Sequence, residues 1–169
     1  MEPATYGFIG ALVGAIVGAL ASIATTYINT FNSTCLQTKA DELLRIERSR
    51  YFQRDMLLNV QETLQNSLRN AVQIYHHDVV AHRENGKWQK SRLGDELNQR
   101  ELAVNRDLTL LTERISNDKL REHIKAFRIL IANTFRTNTE EEGDILLKQA
   151  VDEFNPLMEH IGKVLRELY

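Results

Sequence analysis

A chain of 169 residues, 43% of them hydrophobic and with a formal net charge of -2, has room for one compact domain plus an appendage. The near-neutral charge excludes a bulk electrostatic attraction to double-stranded nucleic acid, and the single cysteine, Cys35, excludes an internal disulfide and a cysteine-based metal framework. Only eight glycines and two prolines interrupt the chain. Four of those glycines (Gly7, Gly10, Gly14, Gly18) fall in the first twenty residues, so an all-α protein is expected.

The first element is an uncharged stretch from Tyr6 to Ile28. At 1.5 Å per residue it is about 35 Å long as a helix, enough for a bilayer core of about 30 Å. Tyr6 at one end, and Tyr27 and Phe31 at the other, suit the interfacial positions that aromatic rings favour. Ahead of it the only charged side chain is Glu2, whereas Lys39, Arg45, Arg48, Arg50 and Arg54 follow. The positive-inside rule therefore places the N-terminus outside and the C-terminal part in the cytoplasm. Ala19-Leu20-Ala21 before Ser22 resembles a signal-peptidase site, but no Lys or Arg precedes the apolar core, and the uncharged stretch runs well past that point.

Within IGALVGAIVGALAS, Gly10, Gly14, Gly18 and Ser22 form one four-residue ridge, and Ala11, Ala15 and Ala19 lie beside it. Each glycine costs a helix about 1 kcal/mol relative to alanine. Removing side chains along one stripe lets a second helix approach closely in lipid, where packing drives association. Ile9, Leu12, Val13, Ile16, Val17 and Leu20 give the other face bulk suited to lipid tails.

Asn29 to Thr38 is polar and uncharged and reads as a juxtamembrane connection or a continuation of the helix. Four helical patterns follow. The first steps through Leu57, Val60, Leu64, Leu68, Ala71, Tyr75 and Val79, with Leu43 and Ile46 extending it backward as a stalk of alternating charge. It breaks at Glu84-Asn85-Gly86-Lys87. The second carries Leu97, Val104, Leu108, Leu111 and Ile115; the third carries Leu120, Ile124, Phe127, Ile131 and Phe135, entered through Ser116-Asn117-Asp118 as an N-cap. Thr139 and Glu142 have capping-box spacing for the last helix, which runs through Leu147, Val151, Phe154, Met158, Ile161, Leu165 and Leu168. Pro156 is expected to kink or restart it, with Asn155 as a cap. Short connections favour antiparallel neighbours, hence a four-helix-type bundle. The expected domains are a membrane-spanning helix at 1–28, a connection and stalk at 29–56, and a cytoplasmic helical bundle at 57–169. Leu43, Leu44, Ile46, Tyr51 and Phe52 in the stalk have no partner within one chain on this arrangement, which favours a parallel homo-oligomer.

Chemistry-bearing residues are sparse. Asp78 and His82 are i, i+4 beside His76 and His77, but a divalent metal needs a third or fourth ligand, and His123 and His160 supply none that sequence can place. The economical reading is an Asp–His pair on a solvated face, with no metal and no cofactor. Neither a nucleophile elbow nor a phosphate-cradling glycine loop occurs, so an enzyme is not expected. The richest local composition is His82, Arg83, Lys87, Trp88, Lys90 and Arg92: four basic residues and the sole tryptophan at one tip of the bundle. Arginine and lysine pair with phosphates and an indole stacks on a base, while the bland alternative packs Trp88 over the bundle end. Repeated around a symmetry axis, the cluster would become a ring of positive charge suited to a symmetric multi-phosphate ligand.

The glycine-rich span ending in ALASIATTYIN, followed by LLRIERSRYFQRDMLLNVQETLQ, resembles a diffuse group of uncharacterised bacterial one-pass membrane proteins over at most the first two-thirds of the chain. Its architecture also resembles the cyclic-oligoadenylate-activated membrane effectors of type III CRISPR defence. That resemblance implies an oligomeric cytoplasmic domain sensing a second messenger and perturbing the membrane through its helices, in anti-phage defence, and it assigns no residue. The alternative expectation is a passive inner-membrane scaffold binding a protein partner through its helical domain.

Overall fold

In a computed structural model of the protein, which describes residues 3–86, 88 and 94–169, four helices and no strand occur among the described residues. They are α1 (Pro3–Asn85), α2 (Asp95–Glu113), α3 (Asp118–Thr134) and α4 (Glu140–Glu167). The chain divides into two compact units, Met1–Arg48 and Ser49–Tyr169, and α1 contributes to both.

The first unit is helical, and its N-terminal part is long and apolar enough to cross a membrane. Every side chain described in it is exposed, from Ile9 through Val17, Ile23 and Phe31 to Leu43. An apolar helix with that exposure is compatible with lipid as its solvent. The polar stretch from Asn29 to Thr38 continues the helix and forms no loop. Two of its hydroxyls turn back onto the helix, Thr34 and Thr38 each donating to the carbonyl four residues earlier at 2.9 Å, as Thr25 and Thr26 do just before it at 2.8 and 2.9 Å. The side chain of Tyr6 lies outside the described residues.

The second unit is built around one apolar core to which all four helices contribute. Leu57, Val60, Leu64 and Ala71 come from α1, Leu108 from α2, and Leu120, Ile124, Phe127 and Ile131 from α3, with Ile115 in the turn between those two. The α3 spacing of 4, 3 and 4 residues puts its four core side chains on one stripe, each at most 3% exposed. Asn117 caps α3 as its position predicts, accepting from Leu120 N–H at 2.9 Å. Arg121 and Asp118 pair in the first turn beside it.

Helix α4 departs from expectation in two ways. Pro156 lies inside a continuous helix, so of the two expectations the restart capped by Asn155 does not occur. Its core stripe is Gly143, Ala150, Leu157, Ile161 and Val164, whereas Val151, one of the predicted apolar positions, is exposed. The small residues explain the offset. Gly143 and Ala150 permit close approach of neighbouring elements, and the bulkier Leu147, Phe154 and Met158 flank the seam as half-buried residues. The capping box also differs in one arm. Thr139 accepts from Glu142 N–H at 3.2 Å, but the Glu142 carboxylate returns to the N–H of Asn138, not Thr139, at 2.9 Å.

Long-range polar contacts fix the ends of this unit. Gln53 binds both sides of the α2–α3 turn, donating to the Arg114 carbonyl and accepting from Ser116 N–H, each at 3.0 Å. The Arg54 guanidinium lies 4.8 Å from the Tyr169 ring centre. Asn70 donates to Glu101 at 3.2 Å. At the far end of α1, Gly86 takes φ +64°, and its N–H closes on the His82 carbonyl at 2.7 Å. That left-handed position is one a glycine adopts without Cβ strain, so the predicted break is a glycine-terminated helix end.

Candidate functional site

The predicted tip cluster is divided by the structure. Lys87, Lys90 and Arg92 lie outside the described residues. Arg83 is exposed and His82 is half-buried. Trp88 packs inward: its ring meets Tyr75 and His82 edge-on at centroid distances of 5.9 and 5.8 Å, and its Nε1–H donates to Thr137 Oγ1 at 3.1 Å. A Cβ built on Gly143 would stand only 3.0 Å from Trp88 and 3.1 Å from Tyr75, so the first turn of α4 seats both rings. Burial raises the Tyr75 hydroxyl pKa above its ordinary value, followed by the negative fields of Asp144 and Glu140. The indole N–H and both neighbouring rings are thus engaged in a structural joint.

The Asp78–His82 reading is corrected in part. Asp78 is 7% exposed and does not lie on a solvated face. The seven-residue step Leu57–Leu64–Ala71–Asp78 brings it round to the core side of α1. Among the described residues, no group of three or more His, Cys, Asp or Glu could hold a metal ion.

Two histidines that the sequence left apart meet across α3 and α4. His123 Nδ1 stands 3.1 Å from His160 Nδ1, and His123 Nε2 stands 2.7 Å from Glu153. Across the Nδ1–Nδ1 contact one ring donates and the other accepts. Burial, then the positive potential of His123, Lys163 and Lys119, lowers the His160 pKa, against an opposing pull from Glu167. One signal could have paired them. Each precedes a core isoleucine, Ile124 or Ile161, on helices that pack against each other.

Two concave surfaces of the described residues differ in how they are built. A broad groove of about 860 Å³ runs along α4 from Asn155 to Arg166, but residues of that single helix line it. A smaller cavity of about 280 Å³ has three walls: Ser67 of α1, Glu101 and Asn105 of α2, and Arg128 and Ile131 of α3, with Phe135 and Arg136 just beyond that helix. Arg128 donates through Nη2 to Thr109 at 2.5 Å and Asn105 at 3.2 Å, while its Nε is buried with no hydrogen-bond partner among the described residues. Burial raises the Glu101 carboxyl pKa, and the bond from Asn70 lowers it by a smaller amount. Such a convergence of polar groups on a partly apolar hollow is the general form of a ligand pocket. Sequence reading missed it because its residues come from three separate helices, none with a motif.

The remaining predicted positions are the packing stripe. A Cβ at Gly10, Gly14 or Gly18 would meet nothing within 4 Å, and Ala11, Ala15, Ala19 and Ser22 are exposed, so the stripe is open along its length. Leu43, Leu44, Ile46, Tyr51, Phe52 and Leu58 are likewise exposed farther along α1. No protein-family model, curated protein or solved structure matches the chain.

Proposed function

We propose that this protein is a membrane-anchored, homo-oligomeric effector at a bacterial inner membrane. Its four helices in the second unit form an up-down-up-down antiparallel bundle in the cytoplasm, and a cytosolic signal acting on that bundle alters the packing of the small-residue helices in the bilayer. The carrying observation is that one helix, α1, supplies both the open glycine stripe and the core residues Leu57, Val60, Leu64 and Ala71. A ligand that binds two arrangements of α1 against its neighbours with different affinity shifts their populations, and the same helix carries the span. Anti-phage defence and a cyclic-nucleotide signal remain part of this proposal as its most specific form. The inward-packed Trp88 takes the indole face out of such a site, so the proposal rests on the basic residues of the 82–92 sequence.

A second reading rests on the exposed apolar side chains from Leu43 to Leu58, which also suit a passive scaffold that docks a protein partner. Membrane potential in cells expressing the protein separates the two. Under the effector reading, replacing residues 6–28 by an unrelated membrane helix, or Gly14→Leu alone, abolishes signal-dependent depolarisation. Depolarisation that survives both changes refutes the effector, and partner capture retained after the swap supports the scaffold.

A further inference from the structure

The three-walled cavity has a charge imbalance that its own protein groups do not resolve. Arg128 uses Nη2 on two neutral acceptors, Asn105 and Thr109, and its buried Nε has no partner. No carboxylate pairs with Arg128 or Arg136 among the ion pairs of the described residues. A guanidinium is always charged and presents planar donors that match a carboxylate or phosphate. The one acidic wall residue, Glu101, accepts from Asn70, which leaves two guanidinium groups, Arg128 and Arg136, against a single carboxylate on the wall. The local balance therefore favours a guest bringing negative charge, with Leu108, Ile131 and Phe135 offering an apolar wall for the rest of it.

Size narrows the class. About 280 Å³ sits at the lower edge of small-molecule pockets, room for one ring or a short chain and far too little for a cyclic oligonucleotide. We propose that this cavity binds a small organic anion, a single-ring or short-chain carboxylate or phosphate monoester, with its charged group on Arg128 and Arg136 and its apolar body against Ile131 and Phe135. Ser67 and Asn105 orient it from the walls formed by α1 and α2. Because Ser67 belongs to α1, the guest bridges that helix to α2 and α3. Binding here stands apart from the membrane reading, since the cavity fills or stays empty whatever the span does.

Calorimetric titration of the full chain in detergent with phenyl phosphate, benzoate and neutral benzyl alcohol tests this. One of the two anions is expected to bind at least tenfold more tightly than the alcohol, and which one identifies the charged group. Arg136→Gln, at an exposed position that leaves the core intact, and Arg128→Gln are each expected to weaken that anion at least tenfold. Anions that bind no better than benzyl alcohol, or anion affinity unchanged in Arg136→Gln and Arg128→Gln, overturn the proposal. If Arg128→Gln does not fold, Arg136→Gln decides alone.

Discussion

Gly143→Ala tests whether Trp88 is a structural joint. A helix interior gains about 1 kcal/mol when alanine replaces glycine. Here the new methyl would stand 3.0 Å from Trp88 Cζ2 and 3.1 Å from Tyr75 Cε2. Neither ring yields freely, because the indole is held by its bond to Thr137 and the two rings brace each other edge-on. Overpacking of this kind costs about 1–3 kcal/mol, so the net change runs from neutral to about 2 kcal/mol of destabilisation. For a unit of this size that is a fall in Tm of up to about 8 °C. Trp88 is the sole tryptophan, so its emission reports the joint directly during thermal unfolding. Wild type is expected to show the blue-shifted emission of a packed indole, and Gly143→Ala a red shift with the lower Tm. Pairing it with Trp88→Phe, which removes the nearest ring atom, should recover at least about 0.5 kcal/mol as a coupling energy. A variant that gains stability while Trp88 emission stays unchanged would refute the seat on α4 and return the indole to the pool of ligand-stacking groups.

Other outcomes follow from the core and the titrating groups. Phe127→Ala, at a fully buried ring facing Phe154, should cost about 3–5 kcal/mol in denaturant unfolding. On α4, Leu157→Ala should cost about 2–5 kcal/mol, while Val151→Asp stays within about 0.5 kcal/mol; the reverse order would refute the observed register. His160 has a folded pKa below its ordinary 6.5, so the unfolded chain takes up the proton first and stability falls as pH drops below 6.5 toward the folded value. His160→Gln should flatten that part of the pH–stability curve. Glu101 is shifted the other way: its folded pKa lies above 4.5, so the folded chain holds the proton longer and stability declines as pH rises through that window. Glu101→Gln keeps an acceptor for Asn70, and should remove this decline and raise stability at neutral pH.

Local rules were most readable where one helix face decides everything. The α3 stripe, the Asn117 cap and the glycine stop at Gly86 follow from spacing and side-chain chemistry alone. On α4 the same spacing admits two adjacent stripes, and only the approach of neighbours at Gly143 and Ala150 selects the one through Leu157. Buried polar residues escaped for a related reason. Ser67, Asn70 and Asp78 continue the core face of α1, but polarity hides them from a hydrophobic pattern, and only contacts such as Asn70 to Glu101 reveal their place. The cavity and the His123–His160 pair lie still further from sequence, because each requires knowing which helices are neighbours. The composition of the 82–92 stretch drew attention as a surface, whereas the contacts of the half-buried Trp88 are those of the alternative, an indole packed onto the bundle.

The central claim is that the stripe of Gly10, Gly14, Gly18 and Ser22 holds copies of this chain together in the bilayer. Cys35 is the only cysteine and is exposed, so it accepts a donor or acceptor dye in the full-length protein without further substitution. Energy transfer between differently labelled chains in lipid vesicles, at a fixed and low protein-to-lipid ratio, measures the association directly. Strong transfer in the wild type that falls to the level of random mixing in Gly14→Leu is the predicted result. Transfer at the random-mixing level in the wild type, or transfer untouched by Gly14→Leu, would contradict it.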